Sequence, residues 1–235
     1  MMSRLSTIIH RLKLVDTAAL CDADKSAGYN AVQVMTNKMQ CRSTKVIENE
    51  KKMIGVARTV QLSGPEDFLA VLRGLHESQE GEVLCVNTLN SSKAVAGGLF
   101  LTEAERKGLQ GVIIDGAVRD NISLRRSCIH CYSTSVNPYS GSIVHLGEMQ
   151  VPITCGGATV TPGDIIIGDA DGVIVASIET FENLIHSAET IISTEKSIMD
   201  AMKKGQDLHS LTNYDEHVSA LKNDKKSALK FTTKI

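Results

Sequence analysis

Residues 97–120 read GGLFLTEAERKGLQGVIIDGAVRD and place two different secondary structures in direct succession. The first half predicts a helix from about residue 97 to residue 107, closed by Gly108 at the usual C-terminal position. The second half, from Gly111 to Gly116, is an apolar run typical of a strand buried on both faces. A helix followed at once by a buried strand indicates an α/β fold.

The lengths of these two elements predict where their ends lie. A helix of about ten residues descends ~15 Å, and a strand of six or seven residues climbs ~20 Å back. If this strand is parallel to the one before the helix, the helix N-terminus and the strand end meet at one edge of the sheet. Open α/β sheets usually bind their ligands at such an edge.

The residues at these two ends suit a small anion and a metal ion. Backbone N–H groups at Gly97, Gly98, Leu99 and Phe100 point out of the helix start, where the helix dipole favours negative charge. After the strand, Arg119 offers a planar fork for a carboxylate, and Asp120 offers a hard oxygen ligand for Mg²⁺ or Mn²⁺. Together they predict a site for a small carboxylate chelated to a divalent cation. The alternative is that Asp120 caps a following helix while Arg119 pairs with a surface acid.

The rest of the chain extends the α/β pattern on both sides. Upstream we expect two short helices, an irregular polar segment over 30–52, strands over 53–60 and 82–86, and a helix that opens at Pro65-Glu66-Asp67. Downstream, glycine and proline turns separate short strands over 151–155, 158–160, 164–167 and 173–176, before a long amphipathic helix over 178–204. No repeat or linker divides the chain, so we predict one domain over residues 1–235.

Composition excludes several classes of protein. The 235 residues carry a net charge of −2, 3% aromatic residues and no Trp, which argues against a direct nucleic-acid platform. No apolar run approaches the ~18 residues of a membrane span. Nothing resembles a secretory signal, and the six cysteines are scattered, with Cys85 in a buried apolar run, so we expect a cytoplasmic protein with reduced thiols. Residues 1–15 carry three cations and no acid, which leaves a mitochondrial transit peptide as the alternative to a first helix.

Two other motifs have simpler interpretations than metal binding. Cys128, His130 and Cys131 lack the second ligand pair of a structural zinc site, so we expect packing or incidental thiols. Asp169 and Asp171 lack the further oxygens of a calcium loop, and we expect a turn between two strands.

Several short motifs follow one another in a specific order between residues 15 and 180. They are Asp16-Thr17, 55–60 (GVARTV), 81–84 (GEVL), Gly98-x20-Arg119-Asp120, Val151-Pro152, Gly156-Gly157, 162–164 (PGD) and 168–173 (GDADGV). In this order they resemble the family of the regulator of ribonuclease activity A and the 4-hydroxy-4-methyl-2-oxoglutarate aldolases, the RraA-like family. The resemblance implies a compact swivelling β/β/α domain with a core over about 15–180, flanking N- and C-terminal helices and a C-terminal helical extension over about 178–235.

The resemblance also implies a chemistry and an assembly. It implies a metal-dependent aldolase or oxaloacetate decarboxylase that acts on a small 2-oxo dicarboxylate through a metal-bound enolate of pyruvate. By position, Arg119 would hold the pyruvyl carboxylate, Asp120 would anchor Mg²⁺ or Mn²⁺, and the backbone of residues 97–100 would complete the anion cradle. Members of the family usually assemble as homotrimers, or dimers of trimers, with sites at subunit interfaces.

One position departs from the pattern of the active aldolases. They usually carry Asp or Glu three residues after the metal-ligating Asp, and this chain has Ser123 there. A serine hydroxyl bonds a water but supplies no negative charge and does not act as an ordinary base. The alternative function is therefore a regulator that binds a ribonuclease. Decarboxylation of oxaloacetate needs less acid–base help and tolerates the departure better.

Overall fold

The structure is a computed structural model that describes residues 3–64 and 67–232. The chain divides into two compact units, Met1–Ile185 and His186–Ile235. Within the described ranges, no helix combines the length and the apolar character needed to cross a lipid bilayer. The one-domain interpretation stays a prediction.

Eight helices and twelve strands are present in the described residues. The helices are α1 Arg4–Leu12, α2 Thr17–Ala27, α3 Thr44–Glu48, α4 Leu69–Glu77, α5 Gly98–Arg106, α6 Asn121–Arg125, α7 Ile178–Lys203 and α8 Tyr214–Lys222. The strands are β1 Gln33–Val34, β2 Gln40–Cys41, β3 Met53–Gln61, β4 Glu82–Asn87, β5 Ala94–Ala96, β6 Gly111–Val118, β7 His130–Val136, β8 Glu148–Met149, β9 Ile153–Cys155, β10 Ala158–Val160, β11 Ile165–Gly168 and β12 Val173–Ala176.

The first unit is built on a mixed sheet with a parallel centre. Its strand order is β1-β12-β11-β3-β4-β6-β7-β2, with β5 paired to β6 and β8 paired to β3. Strands β3, β4, β6 and β7 run parallel, and β5 runs parallel to β6. The flanking pairs are antiparallel, as in the β11–β12 hairpin. The condition set for residues 97–120, that the strand after the helix runs parallel to the one before it, is met.

Alternating side chains of the central strands fill two cores on opposite faces of the sheet. On one face, Leu84 and Ile114 join the buried residues of α4 and α5. On the other face, Cys85 and Ile113 pack with the small β9–β10 sheet and with β11 and β12. Strands that are buried on both sides need such continuous apolar runs. The three layers are therefore the small β9–β10 sheet, the central sheet and the helices α4 and α5, which confirms the expected β/β/α class.

Local sequence signals place the N-terminal helices as expected. The side chains of Ser3 and Asp16 cap α1 and α2 by accepting hydrogen bonds from the amides of Ser6 and Ala19. Gly28 ends α2 in the left-handed conformation, with a φ of 72°. The first helix expected within residues 1–15 is present as α1.

Several elements differ from the sequence predictions. Residues 30–52 are not wholly irregular, because the short β1, β2 and α3 lie there. The helix expected to open at Pro65 begins at Leu69, and positions 65 and 66 lie outside the described residues. Its Leu72 is an exposed apolar side chain. Strands β5, β7 and β8 were not predicted, and helix α6 was expected only in the alternative in which Asp120 caps a helix. The short β5 and α6, with three and five residues, give weak local signals.

The second unit contains the end of α7 and the short helix α8. Asn213 organises it: its side-chain oxygen accepts from the Lys230 amide at 2.7 Å, and its Nδ2 donates to the Ala228 carbonyl. Thr212 and Phe231 form an isolated antiparallel bridge beside these bonds. Helix α8 buries no side chain, so side-chain contacts with its neighbours contribute little to its stability.

Candidate active site

The start of α5 and the residue after β6 meet, as the spacing predicts. The Gly98 amide donates to Asp120 Oδ2 at 3.0 Å. The Arg119 amide donates to the Ala96 carbonyl at 3.0 Å, which ties the end of β6 to β5. A carboxylate at a helix N-terminus is favoured by the dipole of that helix. The central geometric prediction, that Asp120 lies at the amides of residues 97–100, is confirmed.

This contact changes one expectation about the anion cradle. The amides of residues 97–100 were expected to be free. At Gly98 this is wrong, because the Gly98 amide donates a hydrogen bond to the Asp120 carboxylate. Leu99 and Phe100 still lie in the first turn of α5, and the first four amides of a helix have no acceptor one turn back. Their N–H groups are the ones that α5 leaves available for an anion.

The backbone of Asp120 directs its carboxylate away from the helix that follows. Asp120 has a φ of 59° and a ψ of 41°, in the left-handed region that few non-glycine residues adopt. It stands at the N-cap position of α6, but its side chain makes no capping bond to α6. The alternative interpretation, in which Asp120 caps a helix, is correct in that Asp120 is the N-cap residue of α6. It is wrong in that the side chain bonds the start of α5 instead of α6. Strained residues of this kind cluster at functional sites.

Two glycines allow the carboxylate to approach the helix start. A Cβ atom added at Gly97 would lie 2.6 Å from Asp120 Oδ2 and 2.9 Å from Arg119 Cγ. A Cβ atom at Gly98 would lie 3.1 Å from Ser123 Cβ. Neither glycine needs a positive φ. Close packing therefore selects glycine here, and Ser123 lies at the edge of the same site.

A small cavity of about 40 Å³ opens beside these residues. It is lined by Phe68, Ala94, Val95, Ala96, Gly97, Leu99, Phe100, Arg119, Asp120 and Ser140. The Arg119 and Asp120 side chains are 44% and 47% exposed, and Arg119 Nε lies 3.9 Å from Asp120 Oδ2. Both groups can therefore reach a ligand in the cavity while water still screens their mutual attraction.

Three parts of this cavity were missed by sequence reasoning. They are Phe68 before α4, the strand β5 and Ser140 in a segment without regular structure. The apolar triplet Ala94-Val95-Ala96, just before the double glycine, was the one available signal for β5. Phe68 and Ser140 reach the cavity through tertiary contacts that no local pattern encodes.

The side chains present fit a cation that has one protein ligand. In the part of the chain that the structure describes, no group of three His, Cys, Asp or Glu residues converges on a metal position. Asp120 uses Oδ2 for the Gly98 amide, and its other carboxylate oxygen is available. Mg²⁺ commonly binds through one or two carboxylates together with substrate oxygens and waters. A single carboxylate at the start of a helix is compatible with that donor set.

The two other motifs have structural explanations. Asp169 accepts from both the amide and the hydroxyl of Thr17, and from the Asp171 amide, in the turn between β11 and β12. The predicted turn is confirmed. His130 bonds the Lys51 carbonyl, Cys131 is buried and Cys128 is exposed, so these three side chains do not converge. All six cysteines are free.

The fold and the site define a β/β/α protein with an arginine and an aspartate at the start of helix α5. A family model described as RraA-like, Aldolase/RraA, matches residues 17–175. The chain belongs to this family, as its motifs indicated.

Relatives with two kinds of description are similar to this chain. An uncharacterized protein of Methanocaldococcus jannaschii is 33% identical over 172 residues, which cover 72% of this chain and 82% of the relative. A protein of Halalkalibacterium halodurans with the provisional name 4-hydroxy-4-methyl-2-oxoglutarate aldolase is 33% identical over 146 residues, 62% of this chain and 69% of that protein. The solved RNA-processing inhibitor RraA from Thermus thermophilis superposes with a TM-score of 0.57 at 27% identity, covering 65% of this chain and 90% of that one. The family therefore spans possible lyases and regulators of RNA processing.

Proposed function

We propose that this protein is a divalent-metal-dependent lyase that releases pyruvate from a small 2-oxo dicarboxylate. The reaction is decarboxylation of oxaloacetate, aldol cleavage of 4-hydroxy-4-methyl-2-oxoglutarate, or both. The observation that carries the proposal is the position of Asp120, 3.0 Å from the Gly98 amide and on the same cavity as Arg119. The provisional aldolase name of the relative from Halalkalibacterium halodurans supports the same reaction class.

Each group at the cavity has a task that follows from its chemistry. Arg119 presents a planar donor fork that holds the carboxylate next to the oxo group of the substrate. The amides of Leu99 and Phe100 donate to the negative charge that grows on the substrate oxygen, and they are fixed before the reaction starts. The open oxygen of Asp120 would hold the Mg²⁺ or Mn²⁺ ion. That cation would supply Lewis-acid stabilisation of the developing enolate charge, worth several kcal/mol.

Ser123 favours decarboxylation over aldol cleavage. In decarboxylation the bond from C3 of oxaloacetate to its terminal carboxylate breaks, CO₂ leaves, and the enolate of pyruvate takes a proton from water. Aldol cleavage first requires a base to remove the proton of the C4 hydroxyl. Ser123 lies beside Gly98, where the aldolases usually place an acid, and a hydroxyl does not accept that proton readily. We therefore expect oxaloacetate to be the better substrate.

The proposed assembly is a homotrimer, or a dimer of trimers, with the cavity near the subunit interface. Large apolar side chains are exposed at the cavity or next to it: Leu99, which lines it, is 82% exposed, and Tyr139, beside the lining residue Ser140, is 68% exposed. Val144 and Leu146 are also exposed, in the same segment as Tyr139. Large apolar side chains that are left exposed near a site commonly mark an interface when they form a patch. Multi-angle light scattering would give about three or six times the 25.3 kDa of one chain.

The proposed compartment is the cytoplasm, with the mitochondrion as the alternative. Six free cysteines fit a reducing compartment of either kind. Mass spectrometry of the mature N-terminus in the source cells separates the two, because import would remove a basic leader.

The test of the proposed function is pyruvate release by the assembled protein. Oxaloacetate and 4-hydroxy-4-methyl-2-oxoglutarate are each supplied with Mg²⁺ or Mn²⁺, and the rate without protein is subtracted. Arg119→Ala and Asp120→Ala should each lower kcat/KM by about 100-fold or more. Arg106→Ala is the matched control, because Arg106 is an exposed arginine on α5 that pairs with Glu103 away from the cavity. Pyruvate release at the blank rate, or equal loss in the control, would refute the proposal.

A regulator of a ribonuclease is the second candidate function. The absence of an acid at Ser123 favours it, together with the RNA-processing inhibitor among the similar structures. A pull-down with a candidate endoribonuclease tests it. Binding that survives Asp120→Ala, with no pyruvate release by the wild type, would select the regulator over the lyase.

A further inference from the structure

Asp67 is a buried carboxylate with an unusual number of hydrogen bonds. It is 2% exposed and lies two residues before α4. Its Oδ1 accepts from the Leu69 amide at 2.9 Å. Its Oδ2 accepts from the Ser142 hydroxyl and from the amides of Val144 and His145. One side chain therefore ties the start of α4 to a stretch of chain 75 to 78 residues away.

The charged form of Asp67 is the one that this environment stabilises. Burial acts to raise the pKa of Asp67, but the hydrogen bonds from Leu69, Val144, His145 and Ser142 outweigh it and lower the pKa from 3.8 to about 2. Asp67 is therefore ionised at any physiological pH. Leaving a buried carboxylate, or its buried donors, without a hydrogen-bond partner lowers the free energy of unfolding more than the loss of a hydrogen bond at the surface does.

The stretch that Asp67 holds, residues 139–147, contains no helix or strand of its own. Its backbone is tied to the rest of the unit by the Ala94 amide, which donates to the Tyr139 carbonyl, and by the Gly141 amide, which donates to the Ala94 carbonyl. The Phe68 amide donates to the Ser142 carbonyl at 3.0 Å. Beyond Ser142 the segment is held within this chain by the bonds to Asp67 and by the Gly147 amide, which donates to the Ser63 hydroxyl. The side chains of Ile143, Val144 and Leu146 are exposed in the single chain.

Both partners of this connection reach the candidate cavity. Ser140 of the 139–147 segment and Phe68, next to Asp67, line it. Phe68 packs edge-on against Phe100, with ring centroids 6.2 Å apart, and Phe100 lies in the first turn of α5. Asp67 therefore lies next to one wall of the cavity and bonds neither Arg119 nor Asp120.

We propose that Asp67 is a positioning residue whose carboxylate holds the 139–147 segment in place, so that Ser140 and Phe68 form the cavity wall that faces the substrate. The second part of this inference, that the wall faces the substrate, rests on the proposed lyase function. The first part, that Asp67 holds the 139–147 segment (the clamp), does not. Because Asp67 touches no reacting group, its loss affects substrate binding more than the chemical step. KM should rise while kcat changes little.

The main variant is Asp67→Asn, which keeps the size of the side chain and removes its charge. The amide NH₂ then faces either the Leu69 amide or the Ser142 hydroxyl and the amides of Val144 and His145, so donor faces donor. The His145 ring nitrogen also lies 3.3 Å from this oxygen of Asp67. Ser142→Ala is the milder variant, since it deletes one of these hydrogen bonds and leaves the carboxylate. Asp24→Asn is the matched control: Asp24 is 5% exposed and accepts from the amides of Ala31 and Val32, and it does not line the cavity.

Two readouts are measured on the assembled full-length protein. Amide hydrogen exchange compares peptides that cover residues 139–147 with those that cover β4 and β6. Asp67→Asn should speed exchange in the first set by about tenfold and leave the second unchanged. Oxaloacetate kinetics should show KM raised by about tenfold in Asp67→Asn and by about threefold in Ser142→Ala, with kcat within about twofold. Asp24→Asn should change exchange only near residues 31 and 32.

The outcomes separate this proposal from the proposed function. Unchanged exchange over 139–147 in both variants would overturn the clamp, whatever the kinetics. Faster exchange with unchanged KM, or a loss confined to kcat, would overturn the positioning role. A wild type that releases no pyruvate refutes the lyase, and with it the substrate-facing role of the wall, while the exchange data still decide the clamp. If Asp67→Asn does not fold, Ser142→Ala supplies both readouts.

Discussion

Replacing Gly97 by alanine tests whether the carboxylate of Asp120 must touch the start of α5. The added Cβ would lie 2.6 Å from Asp120 Oδ2, and ordinary contacts begin at 3.4 Å, so the oxygen must retreat by about 0.8 Å. That movement breaks the 3.0 Å bond from the Gly98 amide. A displacement of about 1 Å in a catalytic constellation costs on the order of 100-fold in rate.

The same substitution should have only a small effect on stability. The displaced atoms belong to half-exposed side chains that have room to move, so we expect the free energy of unfolding to fall by about 1 kcal/mol. The assay is pyruvate release from oxaloacetate beside urea unfolding of the same preparation. A graded series supplies the controls: Gly98→Ala, whose Cβ meets Ser123 at 3.1 Å, should be intermediate, and Gly64→Ala, whose nearest contact is 3.5 Å, should resemble the wild type. Full activity in Gly97→Ala would refute the reasoning, and so would a loss of activity that merely follows a loss of stability.

Three further predictions concern the rest of the described structure. Cys128 is exposed, whereas burial raises the pKa of Cys131 to about 12, so a thiol reagent should label Cys128 in the native protein and Cys131 only after unfolding; mass spectrometry of the labelled peptides checks this. Glu82 pairs with Arg58 at 2.6 Å where both side chains are mostly buried, and Glu82→Gln should lower the free energy of unfolding by about 2 kcal/mol, measured by urea titration with exposed Glu77→Gln as control. The pKa of Asp67 is lowered in the fold, so its stabilisation is complete above about pH 4 and is lost as the pH falls through about 2; Asp67→Asn should remove that part of the acid dependence, and an unchanged acid profile would contradict the hydrogen-bonded carboxylate.

The elements predicted correctly from the sequence are those specified by a long run of neighbouring residues. The apolar strand after Gly111 and the helix before it lie where expected, because a run buried on both faces and a glycine-ended helix need only neighbouring residues to specify them. Their spacing also placed Asp120 correctly beside Gly98, since the rise per residue of each element is fixed.

The missed features depend on residues far apart in the chain. Strand β5 has three residues and exists because it pairs with β6. Ser140 lines the cavity from a segment whose backbone bonds Ala94 and whose Ser142 side chain bonds Asp67, 75 residues earlier in the chain. Asp120 has a left-handed backbone, and its carboxylate bonds α5 and not α6. This could not be predicted from the sequence, because an aspartate just before a helix usually caps that helix.

The most direct measurement of the central claim follows Mn²⁺ by electron paramagnetic resonance as oxalate, a stable analogue of the pyruvate enolate, is added to the protein. We predict that wild-type protein binds Mn²⁺ more tightly with oxalate than without it. Asp120→Asn should abolish the bound signal, and Arg119→Ala should remove the enhancement by oxalate. Bound Mn²⁺ that is the same in the wild type and in Asp120→Asn would contradict a cation held by that carboxylate at the start of α5.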